Sequence, residues 1–110
     1  MSQDIIYTAG ARRDLRNLYE YIATDLCVPD TAAAQAGRIM KEIRLLNEMP
    51  MRYRLYDEEP WHTQGLRTFT VDNCLVFYLP GESDNIVYIV RIMYGGRDIR
   101  RQLKETKIEY

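Results

Sequence analysis

Arginines and tyrosines carry whatever chemistry this chain can perform. Arg91, Tyr94, Arg97, Arg100 and Arg101 stand close together near the C-terminus, interleaved with Gly95, Gly96 and Asp98. Guanidinium groups bind phosphate and carboxylate through paired hydrogen bonds. A tyrosine among them is a candidate acid or base. Its ordinary pKa near 10 makes it a poor base unless neighbouring cations lower it. Arg91 has two readings: contact with an anionic partner, or a bridge to a carboxylate inside the fold. Arg97 and Asp98 read as a turn-closing ion pair, with Asp98 capping a short last helix. Arg12, Arg13 and Arg16 form a second basic group, which reads as a solvated helical face.

Other reactive residue types are scarce. His62 is the only histidine and has no cysteine or carboxylate frame, so neither a metal nor a cofactor is expected. Cys27 and Cys74 lie in apolar surroundings without metal-ligand spacing, and read as reduced, buried thiols. Fifteen Lys and Arg against sixteen Asp and Glu give a formal charge of −1, which argues against a general nucleic-acid binder. No sequence-specific DNA binding is expected. The basic residues are concentrated instead between positions 91 and 104, and Asp57, Glu58 and Glu59 form an acidic patch. With no membrane span or signal peptide in view, the expectation is a cytoplasmic protein. A chain of 110 residues with 46 % apolar content predicts one globular domain, frayed over 104–110.

These residues need elements to position them. Ile5, Ile6 and Tyr7 predict a short strand, and Thr8 is an N-cap for a helix beginning near Ala9. Ala11, Leu15, Leu18 and Ile22 follow one helical face. Val28-Pro29 closes this region. Asp30 is expected to cap a second helix, whose apolar row is Ala32, Ala36, Ile39, Ile43 and Leu46, and which Pro50 stops. The two helices predict an antiparallel hairpin. Residues 51–65 show no periodicity and read as a crossing loop, tacked to the core by Met51, Tyr53, Leu55, Tyr56 and Trp61.

Residues 66–103 predict three strands. Asp72-Asn73 and the cluster from Pro80 to Asn85 supply the reversals. A two-residue turn pairs Val71 with Cys74, Phe69 with Val76, and Arg67 with Tyr78. Pairing Leu79 with Ile86 then sets Tyr78 opposite Val87, Val76 opposite Ile89, and Cys74 opposite Arg91. One face carries Leu66, Thr68, Thr70, Leu75, Phe77, Leu79, Ile86, Tyr88, Val90 and Ile92. Free of charge, it is expected to receive the helices. The other carries Arg67, Phe69, Val71, Cys74, Val76, Tyr78, Val87, Ile89 and Arg91, and is expected to be covered by a chain segment or a partner.

Several motifs fall in this order: AxxDLxxLYxYIA over Ala11–Ala23, Pro50 after the second helix, GLR at Gly65–Arg67, LVFY at Leu75–Tyr78, and IVRIMYGGRD at Ile89–Asp98. Together they resemble the RelE/ParE superfamily of bacterial toxins from type II toxin–antitoxin systems, also called plasmid stabilisation proteins. The resemblance implies an α+β fold, β-α-α-β-β-β, with a small antiparallel sheet and an α-helical hairpin on one face. It also implies a cognate antitoxin and growth arrest by one of two routes. RelE-type members cut mRNA on the ribosome and need cations around the scissile phosphate. Their middle strand carries an arginine where this chain has Leu75, and Thr68 and Thr70 stand where other basic residues are expected. The ending is similar to that of ParE-like members, with Tyr94 in a histidine position. The expectation is therefore a ParE-like toxin that binds an essential target, DNA gyrase first. Arg67, Tyr78, Arg91, Tyr94, Arg97, Arg100 and Arg101 would then form partner-contact surface. Alternatively, the chain is a ribosome-dependent endoribonuclease using Arg67, Arg91, Tyr94 and Arg97, or an inactive relative that only binds its antitoxin.

Overall fold

A computed structural model describes residues 3–25, 27–81, 84–94 and 99–106, with backbone alone at 25, 29 and 100. Strand β1 (Asp4–Tyr7) leads into helix α1 (Ala9–Glu20), which continues as one π-helical turn (Tyr21–Asp25). Helix α2 (Pro29–Arg44) ends in a tight 3-10 turn (Leu45–Asn47). A crossing segment containing a single helical turn, α3 (Trp61–Gln64), reaches β2 (Arg67–Val71), β3 (Cys74–Pro80) and β4 (Ile86–Tyr94). Helix α4 (Ile99–Lys104) follows. The sheet order is β1-β4-β3-β2, with β1 parallel to β4 and the other pairs antiparallel. This is the expected α+β arrangement of a helical hairpin on a small sheet. Residues 95–98, including the expected Arg97–Asp98 pair, lie outside the described residues.

Local chemistry sets the helix ends. The Thr8 hydroxyl accepts from Ala11 N–H at 3.1 Å and donates to Val90 O at 2.8 Å, so one buried side chain both caps α1 and ties it to β4. At α2 the expected cap is corrected. Val28 holds the cap position without a side-chain bond, Pro29 is the first helical residue, and Asp30 sits in the first turn. Proline suits that position because its missing N–H would have no helical partner, and Asp30 favours the positive end of the helix. The helix also ends before Pro50, in the 3-10 turn.

The β2–β3 register is the predicted one, from Arg67 opposite Tyr78 to Val71 opposite Cys74. The β3–β4 register differs. Leu79 faces Tyr88, two residues beyond the expected partner. A bulge then adds a third, so that Phe77 faces Arg91, Val76 faces Ile92 and Cys74 faces Tyr94. Val90 is the extra residue on β4, and past it the side chains exchange faces.

The helical hairpin packs on the face opposite to the expected one. Ala11, Leu18, Ile22, Ala32, Ile39 and Ile43 meet Phe69, Val71, Cys74, Val76, Tyr78, Val87, Ile89 and Ile92. The other face holds Leu66, Phe77, Val90 and Met93, and is covered by Trp61 and Tyr56 of the crossing segment and Ile99 and Leu103 of α4. Charge misdirected the expectation because Arg67 and Arg91 find their partners at the rim of the sheet. Two further corrections concern exposure. Met51 is exposed rather than tacked down, and Cys27 is exposed with a left-handed backbone (φ 56°). Among the described residues, no helix is long and apolar enough to cross a membrane.

One thiol per chain, Cys27, should react with a disulfide reagent under native conditions, and Cys74 only after unfolding; equal rates would contradict this packing. Burial also pushes Cys74, Tyr7 and Tyr78 above their ordinary values of 9.0 and 10.0. The unfolded chain therefore ionises first as pH rises. Stability should be full below about pH 9 and fall above it, read as a declining urea midpoint.

Candidate functional site

Arg91 sits at the bulge of β4, beside the first turn of α1. Its Nε donates to Asp14 Oδ2 at 2.5 Å and its Nη2 to Asp14 Oδ1 at 2.9 Å. Asp14 Oδ2 also accepts Ile92 N–H at 2.9 Å. The remaining guanidinium contacts go to α4 and the residues after it: Nη1 to Thr106 Oγ1 (3.1 Å) and Nη2 to Gln102 Oε1 (3.3 Å). The two charged side chains are 18 % and 14 % exposed. Of the two readings of Arg91, the internal bridge is the one realised. Gly10 makes room for it, since a Cβ there would lie 3.3 Å from Arg91 Cδ.

The other candidates rest on different elements. Arg67 donates to Tyr53 O at 2.6 Å, fastening the crossing segment to β2. Tyr78 is fully buried, so it is corrected from a partner contact to a core residue. Its hydroxyl donates to Pro50 O at 2.9 Å, and burial raises its pKa. Tyr94 is 47 % exposed, and its ring lies 6.2 Å from that of Tyr21. Arg101 is exposed and paired with Glu105 at 3.3 Å. Arg97 and the side chain of Arg100 lie outside the described residues. Among the described candidates, then, Arg67 and Arg91 each serve a structural bond, while Tyr94 and Arg101 remain on the surface. No group of three His, Cys, Asp or Glu among the described residues is placed to hold a metal.

A feature that sequence reasoning missed lies on the hairpin side. A groove of about 680 Å³ runs between β1, α1 and α2, floored by Ile5, Tyr7, Leu15, Ala36 and Met40 and flanked by Tyr19, Arg12 and Arg16. Strand β1 is an edge strand. Asp4 N–H donates to Asn85 O just before β4 and Thr8 N–H to Ile89 O within it, so the alternate groups of Ile5 and Tyr7 point outward. Arg12 covers one of them, donating to Tyr7 O at 2.8 Å. The signal available in the sequence was Leu15 beside Arg12 and Arg16. The expectation of a merely solvated basic face overlooked that two of these arginines border apolar floor.

Residues 5–99 match the family model described as the ParE toxin of the type II toxin–antitoxin system, parDE. No curated protein sequence matches the chain. Among solved structures, the chain is similar to one from the chromosomal ParDE system of P. aeruginosa, at TM-score 0.69 and 19 % identity, covering 86 % of this chain and 98 % of that one. It is similar to one from the RelBE2 toxin–antitoxin complex of Mycobacterium tuberculosis at TM-score 0.61 and 20 % identity, covering 86 % and 92 %. A double mutant of E. coli RelE in the free state aligns at TM-score 0.65 and 12 % identity, covering 96 % and 95 %. At these identities the structures speak for the fold alone.

Removing one side of the Asp14–Arg91 bridge leaves a mostly buried charge unpaired. Asp14→Ala should lower unfolding free energy by about 3 kcal/mol. Combining Asp14→Leu with Arg91→Met should recover about half of that loss or more, because neither charge is then stranded. Urea denaturation of the single and double variants measures both, and additive losses would argue against the bridge.

Proposed function

The chain belongs to the family of ParE toxins of type II toxin–antitoxin systems, and from that premise we propose a toxin that arrests growth by binding an essential protein target, DNA gyrase first, under the control of a cognate antitoxin. The observation that carries the choice of binding over RNA cleavage is the capture of Arg91. A ribosome-dependent nuclease needs a free cation and a proton-transfer group converging on one phosphate. Arg91 is held by two bonds to Asp14, Arg67 is bound to the backbone of Tyr53, and Leu75 occupies the middle strand. Tyr94 and Arg101 remain as exposed groups suited to contact with a protein surface.

The groove over β1, α1 and α2 is the antitoxin surface in this reading. Its apolar floor suits an amphipathic segment. Arg12 and Arg16 at its sides suit acidic residues next to that segment's apolar anchors. The ParDE and RelBE2 neighbours come from toxin–antitoxin systems, which supports an antitoxin partner here.

Inducing this chain alone should stop growth and produce chromosomal breaks with mRNA left intact. Codon-phased mRNA cuts without DNA damage would overturn the gyrase reading. Met40→Glu, at a 44 % exposed position in the groove, should leave the arrest unchanged while abolishing rescue by a co-expressed antitoxin. Undiminished rescue would place the antitoxin elsewhere.

A further inference from the structure

Of the residues that floor the hairpin groove, one can change polarity without any change of sequence. Ile5, Tyr7, Leu15 and Ala36 resist mild oxidants, whereas Met40 carries a thioether. A thioether is apolar and packs much as leucine does. Its sulfoxide is polar and accepts hydrogen bonds.

The fold leaves this thioether open to solvent. Met40 is 44 % exposed, while Met93, in the sheet, is 3 % exposed. Its place on α2 accounts for the difference. Helical side chains lean back over the preceding turn, and the residue there is Ala36, too small to bury it. Met49 and Met51 are 58 % and 57 % exposed, but neither lines the groove. Met40 is therefore the exposed methionine whose oxidation alters the groove floor. The new oxygen would sit beside Arg12 and Arg16, the groups that acidic residues of a bound segment would use.

We propose that Met40 is an oxidation site, at which hydrogen peroxide converts the thioether of the free chain to the sulfoxide and so weakens antitoxin binding. The inference rests on the reading of the groove as the antitoxin surface. The chemistry is a two-electron oxygen transfer. A sulfur lone pair attacks one peroxide oxygen, the S–O bond forms and the O–O bond breaks. The departing hydroxide takes the proton from the transferred oxygen and leaves as water. Sulfur is oxidised and peroxide is reduced. Seating an apolar anchor on the sulfoxide then strips its oxygen of water without returning a hydrogen bond, and that desolvation opposes binding. A bound antitoxin covers Met40 and shields it. The modification therefore acts on chains that are free of antitoxin, and delays their recapture.

The test oxidises the purified full chain with hydrogen peroxide and removes the excess with catalase. Dithiothreitol then reverses disulfides and sulfenic acid at the exposed Cys27 but leaves sulfoxides, which peptide mass spectrometry locates. Two probes follow. Anilinonaphthalene sulfonate, an apolar dye with one anionic group, reports on the groove itself, and an untreated antitoxin that rescues growth reports on function. Oxidation should weaken both about tenfold or more, and methionine sulfoxide reductase should restore both. The ratio of untreated to treated affinity should fall to one in Met40→Leu and keep its full size in the double variant Met49→Leu with Met51→Leu. Met40 left unmodified at a peroxide dose that converts Met49 and Met51 would overturn the proposal. Undiminished antitoxin binding by the Met40 sulfoxide, with binding abolished by Met40→Glu, would overturn it and leave the groove reading intact. Loss of dye binding with antitoxin binding unchanged in both forms would sink the groove reading and the proposal with it.

Discussion

One carboxylate organises this fold. Asp14, in the second turn of α1, takes two bonds from the Arg91 guanidinium and a third from the Ile92 amide. Through Arg91 the same carboxylate reaches Gln102 in α4 and Thr106 beyond it. The bulge at Val90 makes this possible. An extra residue bends β4 and increases its local twist at the point where α1 passes. Without the bulge, Ile92 would fall on the face of Val90 and leave the hairpin core. The bridge therefore holds a kink in the central strand, an orientation of the first helix and the seat of the last one. Such a bond does more for specificity of packing than for net stability, because desolvating two charges offsets most of their attraction.

The placement of Arg91 decides what the molecule can do elsewhere. A cation held by four bonds to its own fold has little capacity left for an external phosphate. Tyr94 and Arg101, Arg12 and Arg16 beside the apolar groove, and Arg52 and Arg54 on the crossing segment keep exposed side chains instead.

Much of this frame was legible in the sequence, for local reasons. Thr8 before an apolar helical row marks a cap, and the Asp72-Asn73 turn sets the β2–β3 register by itself; Asp72 adopts the left-handed backbone such a turn requires (φ 54°). Periodicity also found the buried stripes of both helices, with Ala11, Leu18, Ala32, Ile39 and Ile43 all in the core. The β3–β4 register failed because a longer reversal does not constrain pairing, and because a bulge leaves no trace in alternation when Val90, Ile92 and Met93 are all apolar. The choice of sheet face failed for a related reason. Both faces are apolar, and the arginines used to separate them are neutralised by long-range partners, Asp14 lying 77 residues away from Arg91. The parallel pairing of β1 with β4 is likewise a tertiary fact, since a four-residue strand carries no information about its neighbour.

The crossing segment marks the limit of pattern reading most clearly. It has no periodicity because its residues are placed by three unlike contacts. Arg67 binds the Tyr53 carbonyl, Tyr53 stacks on Phe69 at 4.2 Å, and Tyr56 meets Phe77 edge-on at 5.3 Å. A segment held by its aromatics and backbone keeps its charged side chains at the surface, where Arg52 lies over the Tyr53 ring and Arg54 pairs with Asp57. The formal charge of −1 said nothing of this. Net charge is a sum over a surface whose potentials act within about 10 Å, so a balanced chain can still present a locally cationic wall. For a protein of this size, local arrangement of charge is therefore the better guide to its partners than the total.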